Sequence, residues 1–125
     1  MPKQLLFLLM ACITLISCYK PQNRDISVSG RVLDQSNRGV ANVTILINRG
    51  VRESMWPVGY KKFDSLFTNL EGKYSYLITD YKFYYEVCCK IPAQYSTVDF
   101  FCKEVDKTII DAKPVPNVID FKLGP

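Results

Sequence analysis

The fold of this chain is decided by the segment ISVSGRV at residues 26–32, in which apolar and polar side chains alternate. Successive side chains of a β-strand point to opposite faces, so this pattern predicts a strand with one face buried. The same period returns at residues 43–48, 74–79, 82–91 and 119–123, although Leu46 makes the first of these apolar on both faces. β-branched and aromatic residues dominate these segments, and they also favour strands.

Turn-forming segments separate the predicted strands, and no stretch shows a convincing helical period. The segments DQSNRG (34–39) and NLEG (69–72) combine Asp, Asn and Gly, which are the residues that tight turns favour. Several short strands joined by such turns are typical of a β-sandwich. We therefore predict an all-β fold, a seven-stranded-type antiparallel β-sandwich over residues 26–125.

Three motifs in this region, VSGRVLD (28–34), RGVANVTI (38–45) and TNLEGKYSY (68–76), carry a family resemblance. In order and spacing they resemble the carboxypeptidase regulatory-like domain. This resemblance implies a transthyretin-like (prealbumin-like), Ig-like sandwich, a structural or binding role, and a place in lipoproteins of the Bacteroidetes type. Gly39 and Gly72 lie where tight turns require a positive φ. Residues 49–64 depart from the family pattern, because they exceed its usual connection between the second and third strands.

The size and composition of the chain limit its functions. It has 125 residues and a formal net charge of +4, which fits one domain. It contains no histidine, so Ser-His and Cys-His catalysis and His-ligated metal sites are excluded. Basic and acidic residues are interleaved, so we expect no nucleic-acid partner. We also expect no metal site and no cofactor apart from a covalent lipid.

An apolar run near the N-terminus is typical of a secretory signal. Lys3 precedes the run, and its length suits a signal peptide better than a membrane span, which needs about 20 residues. The run ends in LISC (15–18), which resembles a bacterial lipobox. The resemblance implies cleavage before Cys18 and acylation, for example by palmitate, of the new terminus. Residues 1–17 are then a lipoprotein signal peptide, and residues 18–25 are a lipidated tether.

Two alternatives to the lipobox interpretation are an ordinary signal peptide and an anchoring N-terminal helix. All three place the domain outside the cytoplasm. We expect a lipid-anchored protein of the cell envelope, at the outer membrane rather than the inner membrane.

The segment GVRESMWPVGYKKF (50–63) holds the candidate binding residues. It contains Arg52, Tyr60, Phe63 and Trp56, which is the only tryptophan of the chain. Aromatic rings and arginine anchor many interfaces, and loops on a rigid scaffold often carry function. We predict a loop that binds a glycan or a protein. The alternative is that Trp56 and Phe63 fold back and cap an open end of the sandwich.

Tyr84 marks a second candidate surface. In the segment 82–91 it lies on the face opposite Phe83 and Tyr85, where it can join an exposed aromatic strip. The alternative is that residues 93–103 cover this face, because large aromatic side chains are more often buried than exposed.

Three cysteines, Cys88, Cys89 and Cys102, remain once Cys12 is lost with the signal peptide and Cys18 carries the lipid. A bridge from Cys102 to either neighbour closes a loop of about 14 residues, worth about 3 kcal/mol in the chain-entropy model. Alternation points Cys89 inward and Cys88 outward. Cys88 is the expected partner if the segment around Cys102 packs over the outer face, and Cys89 is then a buried thiol. A Cys88–Cys89 bridge is the least favoured pairing.

These observations favour a non-enzymatic envelope lipoprotein that acts as a binding or assembly module, with glycan or nutrient capture as its candidate role. The first alternative is a structural accessory subunit that binds another envelope protein. The second is a small hydrolase, which requires a clustered acid pair or a Ser-Lys dyad in a pocket.

Overall fold

The computed structural model describes residues 24–53, 55, 57–95 and 99–124, and this part of the chain contains strands and no helix. The strands are β1 (Ile26–Leu33), β2 (Thr44–Val51), β3 (Gly59–Phe67), β4 (Lys73–Ile78), β5 (Tyr84–Lys90), β6 (Phe100–Glu104), β7 (Ile109–Ile110), β8 (Lys113–Pro114), β9 (Asn117–Val118) and β10 (Phe121–Lys122). Within these ranges, no helix is long and apolar enough to cross a membrane. The predicted signal peptide, Cys18 and most of the predicted tether lie outside the described residues.

The first sheet has the strand order β10-β1-β4, with β9 also paired to β1. β1 and β4 are antiparallel, and Ile26 lies opposite Ile78. β9 and β10 run parallel to β1, which the antiparallel prediction did not anticipate. The reason is the path of the chain, because it leaves β6 at the end of the sandwich where β1 begins and then follows β1 in the same direction.

The second sheet has the order β3-β2-β5-β6, and all of its strand pairs are antiparallel. β2 and β3 form a long hairpin that stays paired as far as Val51 and Gly59. The long connection predicted at residues 49–64 is therefore wrong, since only residues 52–58 join the two strands. Most side chains of β3 are exposed on both faces, and an edge strand of this kind lacks the apolar alternation that would have identified it.

The core lies between the two sheets and is formed by the inward phase of each strand. β1 has the burial pattern expected from its sequence, with every second side chain buried. The buried hydrophobic cluster contains Ile26, Val28, Val32, Val43, Ile45, Ile47, Tyr74, Ile78, Tyr85, Val87, Cys89, Val105, Ile119, Phe121 and Leu123. The two sheets therefore share one continuous core, and the sandwich predicted from the alternation is confirmed.

Close backbone contacts explain two of the glycines. A Cβ on Gly30 would lie 1.8 Å from the Ile119 carbonyl oxygen, so only glycine lets the C-terminal segment pack on β1. Gly72 has the predicted positive φ, at 75°. The same prediction for Gly39 is wrong, because its φ is not positive. Gly39 is instead required by the Glu71 carbonyl oxygen, which would be 1.9 Å from a Cβ.

Candidate binding surface

The outer face of the second sheet brings polar side chains from all four strands into one row. Asn48 of β2 pairs with Lys62 of β3 on one side and with Glu86 of β5 on the other. Glu86 in turn pairs with Glu104 of β6. Two carboxylates directly opposite each other repel, so each requires a compensating hydrogen bond.

Two donors supply this compensation. The Asn48 Nδ2 amide donates to Glu86 Oε1 over 3.0 Å. The Tyr60 hydroxyl donates to Glu104 Oε1 over 3.1 Å. Burial, followed by the hydrogen bond and charge of Glu104, raises the pKa of Tyr60 to about 12. Tyr60 therefore stays protonated at neutral pH and acts as a hydrogen-bond donor.

Tyr84 lies on the same face, and two cations pack on its ring. Register aligns Tyr84 and Tyr60 on either side of Gly50. The Arg52 guanidinium lies 5.1 Å from the centroid of the Tyr84 ring, and the Lys107 ammonium lies 4.7 Å from it. Cations over an aromatic face gain an electrostatic attraction of about 0.5–2 kcal/mol. We call Arg52, Tyr60, Tyr84, Glu86 and Glu104 the outer-face surface.

For Tyr84 the sequence left two possibilities, an exposed ring or a ring covered by residues 93–103. Tyr84 is 37% exposed. Residues 93–103 were the alternative cover for this face, but their final part is β6, which pairs with the edge of β5 instead of lying over it. Backbone hydrogen bonding in the sheet therefore keeps β6 beside residues 86–90 of β5.

Lys107 links the outer-face surface to the end of the sandwich at which β5 begins. Its ammonium donates to the Phe83 carbonyl over 3.0 Å and lies 4.3 Å from the Tyr81 ring centroid. Burial lowers the pKa of Lys107, although the charge of Asp80 opposes this effect. Lys107 therefore holds the start of β5 against the chain that follows β6.

Phe63 lies away from Tyr60 and Arg52. It is the unpaired residue of a β-bulge, since Asp64 pairs with Ile47 and Lys62 pairs with Asn48. The Arg49 guanidinium is held between two rings, 4.1 Å from the centroid of Phe63 and 4.5 Å from that of Phe83. A bulge changes the side-chain phase of its strand, which turns Phe63 from the outer face to the end of the sandwich.

Phe63 and its neighbours cap this end. The Phe63 ring meets the buried Tyr85 ring edge-on at 6.3 Å. An open groove of about 630 Å³ lies beside them, lined by Arg49, Lys61, Phe63 and Phe83 among others. The described members of the predicted binding set therefore lie in two places. Tyr60 and Arg52 belong to the outer face and Phe63 to the end cap, while Trp56 lies outside the described residues.

Two cysteines lie at the edge of the outer-face surface. Cys88 and Cys102 face each other in the β5–β6 register and form a disulfide across it, with a Cα–Cα distance of 4.0 Å. The two sulfurs and a Glu86 oxygen lie within 4.8 Å of one another, but both sulfurs belong to the disulfide and are not thiolate ligands. Cys89 is a buried free thiol in the core, and burial raises its pKa to about 11.

Several residues of this surface were missed by sequence reasoning. Asn48, Glu86, Glu104 and Lys107 carry no motif, and only their positions in the polar phase of the strands pointed outward. Arg49 lies in the inward phase, beside Tyr85 in the β2–β5 register, where an apolar residue is the usual choice. The sequence feature that could have indicated an end cap was Arg49, an arginine at an inward-facing strand position close to several aromatic residues.

The chain has few similarities to known proteins. No family model and no curated protein matches it. Among solved structures, a DUF3823 family protein from Parabacteroides merdae has a TM-score of 0.46 and 13% identity, covering 82% of this chain and 47% of that one. An (S)-allantoin synthase has a TM-score of 0.46 and 14% identity, covering 90% and 47%. A 9R-lipoxygenase from Cyanothece has a TM-score of 0.44 and 12% identity, covering 81% and 17%.

The chain spans less than half the length of each of these three structures. At such TM-scores and identities, the similarity carries no argument about fold, activity, ligand or partner.

Proposed function

We propose that this protein is a non-enzymatic, lipid-anchored binding or assembly module of the bacterial cell envelope, and that it binds through the outer-face surface. The observation that carries the proposal is the grouping of Tyr60, Tyr84 and Arg52 with paired carboxylates on one open sheet face. Aromatic rings, arginine and oriented hydrogen-bonding groups are the components of most recognition surfaces. The resemblance of the sequence to carboxypeptidase regulatory-like domains also favours a binding role.

Glycan or nutrient capture is the ligand class that this chemistry favours. The C–H faces of a sugar pack on tyrosine rings, at Tyr84 by displacing the Arg52 or Lys107 cation from the ring. Carboxylates and amides pair with the sugar hydroxyls. Glu86 and Glu104 already have fixed orientations, since Asn48 and Tyr60 hydrogen-bond to them. A preorganised surface loses less side-chain entropy on binding than a mobile one.

A calorimetric titration of the protein with a panel of soluble polysaccharides tests this proposal. We expect at least one glycan to bind, with Tyr84→Ala weakening its affinity by about tenfold, the effect of losing one stacked ring. Leu77→Ala is the matched control, because Leu77 is 54% exposed on the other sheet. A glycan that binds wild type and Tyr84→Ala equally would place its site elsewhere.

The structural accessory subunit remains the alternative, and it uses the same surface for an envelope protein. Photo-crosslinking at position 84 in intact cells distinguishes the two ligand classes. A single crosslinked protein band, with no response to any glycan, would favour the accessory role. Crosslinks from position 77 serve as the background.

The neighbouring carboxylates of Glu86 and Glu104 are the one observation that favours a hydrolase. They lie on an open strand face, where water is hard to exclude, and not in a cleft. A hydrolase would lose activity against its substrate in Glu86→Gln and Glu104→Gln. Under our proposal, the same polysaccharide panel yields no released sugar with wild type or with either variant.

The lipid anchor has its own test. Cys18→Ser removes the acceptor thiol, so we expect an uncleaved precursor without the lipid mass. We expect the wild-type chain in the outer-membrane fraction. A wild-type chain with no lipid mass would favour one of the two unlipidated alternatives.

A further inference from the structure

The end of the sandwich where the domain begins is formed by four chain segments. Residue 24 enters there, β4 leads into the turn at 79–83, the β2–β3 hairpin turns at 52–58, and residues 105–116 connect β6 to β9. The strand registers align these segments, because Ile26 pairs with Ile78 and Gly50 pairs with Tyr84. We call this the anchor-side end.

Two hairpin tips at the anchor-side end expose aliphatic side chains. Met55, on the connection between β2 and β3, is 97% exposed, and Val51 before it is 58% exposed. On the β7–β8 hairpin, Ile109 is 38% and Ile110 is 59% exposed. Exposed aliphatic side chains on two hairpins at one end of a sandwich favour a contact with an apolar phase or with a partner.

The β7–β8 hairpin presents its isoleucines on a tight turn. Ile110 pairs with Lys113, and the two residues between them, Asp111 and Ala112, both have a positive φ, at 52° and 62°. This is the backbone of a type I′ turn, which joins two strands with the shortest loop. A two-stranded hairpin has little stability of its own in water, so packing of its apolar side chains against another surface would stabilise it.

The position of the N-terminus identifies that surface. Only five residues separate Cys18 from Arg24, and the six steps along the chain between them span about 21 Å at most. With a lipid on Cys18, the anchor-side end stays within this distance of the bilayer. The opposite end is separated from the attachment point by the length of β1, eight residues or about 26 Å. The hairpin tips are therefore held at a high effective concentration next to the lipid.

We propose that the anchor-side end docks on the membrane, with Met55 and Ile110 inserted among the lipid headgroups and upper acyl chains. The inference rests on the lipid-anchoring part of the proposed function. It leaves Glu86 and Glu104 free, since they lie further along β5 and β6, whereas Arg52 lies on the docking hairpin and belongs to both surfaces. The segments 24–25, 51–59, 79–83 and 105–115 contain five basic and five acidic residues. The contact is therefore apolar, and it requires neither anionic lipid nor low salt.

Aromatic residues behind the tips suit the headgroup layer. Tyr81 lies beneath two cations, with the Arg24 guanidinium 5.3 Å and the Lys107 ammonium 4.3 Å from its ring centroid. Its hydroxyl donates to the Lys107 carbonyl over 3.1 Å. Tyrosine and long basic side chains are enriched at this depth of a bilayer, where one part of the side chain is apolar and the other is hydrated.

The test uses Trp56, which follows Met55 directly in sequence and is the only tryptophan. The lipidated chain is extracted from bacterial membranes and reconstituted into phosphatidylcholine vesicles that contain lipid brominated in the upper acyl chain. We expect strong quenching of Trp56 that persists at about 0.5 M salt, where charge interactions are screened. Met55→Ser with Ile110→Ser should weaken docking by about tenfold or more and restore most of the emission.

The matched control is Leu70→Ser. Leu70 is 90% exposed on the turn between β3 and β4, at the opposite end of the sandwich. The Leu70→Ser variant should show the same quenching of Trp56 as the wild-type chain. Vesicle-bound chain with unquenched Trp56, quenching lost in salt, or an equal effect of Leu70→Ser would each overturn the docking while leaving the anchor and the outer-face surface intact. A wild-type chain that does not partition into vesicles would overturn both the anchor and the docking, whereas glycan binding is measured separately.

Discussion

The outer faces of the two sheets differ in chemistry although both sheets bury their inner faces in the same core. The β1–β4 sheet exposes small side chains such as Ser27, Ser29 and Ser75. The β3-β2-β5-β6 sheet exposes tyrosines and carboxylates and carries a disulfide. Backbone pairing holds both sheets, and the first also packs closely on the C-terminal segment at Gly30. We therefore assign the proposed binding role to the second sheet.

We expect the largest effect from a substitution that disrupts packing on the first sheet. Gly30→Ala puts a Cβ 1.8 Å from the Ile119 carbonyl oxygen, so the C-terminal segment must move away from β1. We expect a loss of about 4 kcal/mol in the free energy of unfolding, measured by urea denaturation. Gly59→Ala is the control, because nothing lies within 4 Å of its Cβ position, and its cost should stay below about 0.5 kcal/mol. Equal costs at the two positions would show that the packing on β1 tolerates a methyl group.

Removal of the disulfide should weaken the second sheet. Cys88 and Cys102 are 14 residues apart, so Cys88→Ser combined with Cys102→Ser should destabilise the chain by about 3 kcal/mol through loop entropy. Urea midpoints with and without a reductant give the measurement. Reduction should lower the wild-type midpoint and leave that of the double variant unchanged. A reductant-insensitive wild type would mean that this bridge contributes nothing to stability.

Tyr74→Phe makes a smaller change in the first sheet. The Tyr74 hydroxyl is buried and donates to the Ile119 carbonyl over 2.5 Å. Removing it leaves that acceptor with one partner fewer, at a cost of about 1–2 kcal/mol. Hydrogen exchange of the Ile119 amide, which donates to Ser29, should accelerate. Unchanged exchange at Ile119 would indicate that the glycine contact alone holds the segment.

The smallest effect appears at high pH in the second sheet. The folded pKa of Tyr60 is raised from 10.0 to about 12, so the stabilisation linked to its proton is complete below pH 10 and is lost as the pH rises through about 12. Stability of the wild type should therefore fall across this window. Tyr60→Phe should fall less steeply over the same range, as followed by thermal melts. Parallel curves for the two proteins would contradict the Tyr60–Glu104 hydrogen bond.

The sequence was most informative where burial alternates along a strand. The segment 26–32 predicts β1, its inward face and its length, because strand geometry links sequence parity directly to the side of the sheet. Cys89 and Tyr85 were placed on the inward face for the same reason, and both are buried. β3 was missed because it is an exposed edge strand, whose side chains need not alternate.

Contacts between distant strands were beyond such local reasoning. The bulge that turns Phe63 away from Tyr60 arises from pairing with β2, and nothing within β3 itself specifies it. The Arg49 guanidinium contacts the ring of Phe63 in β3 and the ring of Phe83 in the turn before β5. The candidate surface therefore could be only partly predicted, since its residues are far apart in sequence and become neighbours through strand register.

The sequence by itself determined the all-β class, the inward and outward phases of most strands, and the turn at Gly72, because each depends on side chains a few residues apart. Only the tertiary structure decided the parallel course of β9 and β10, the alignment of Cys88 with Cys102, and the row of Asn48, Glu86 and Glu104. These features depend on which strands pair and in which register. That choice is made by the packing of the whole core, which local alternation does not specify.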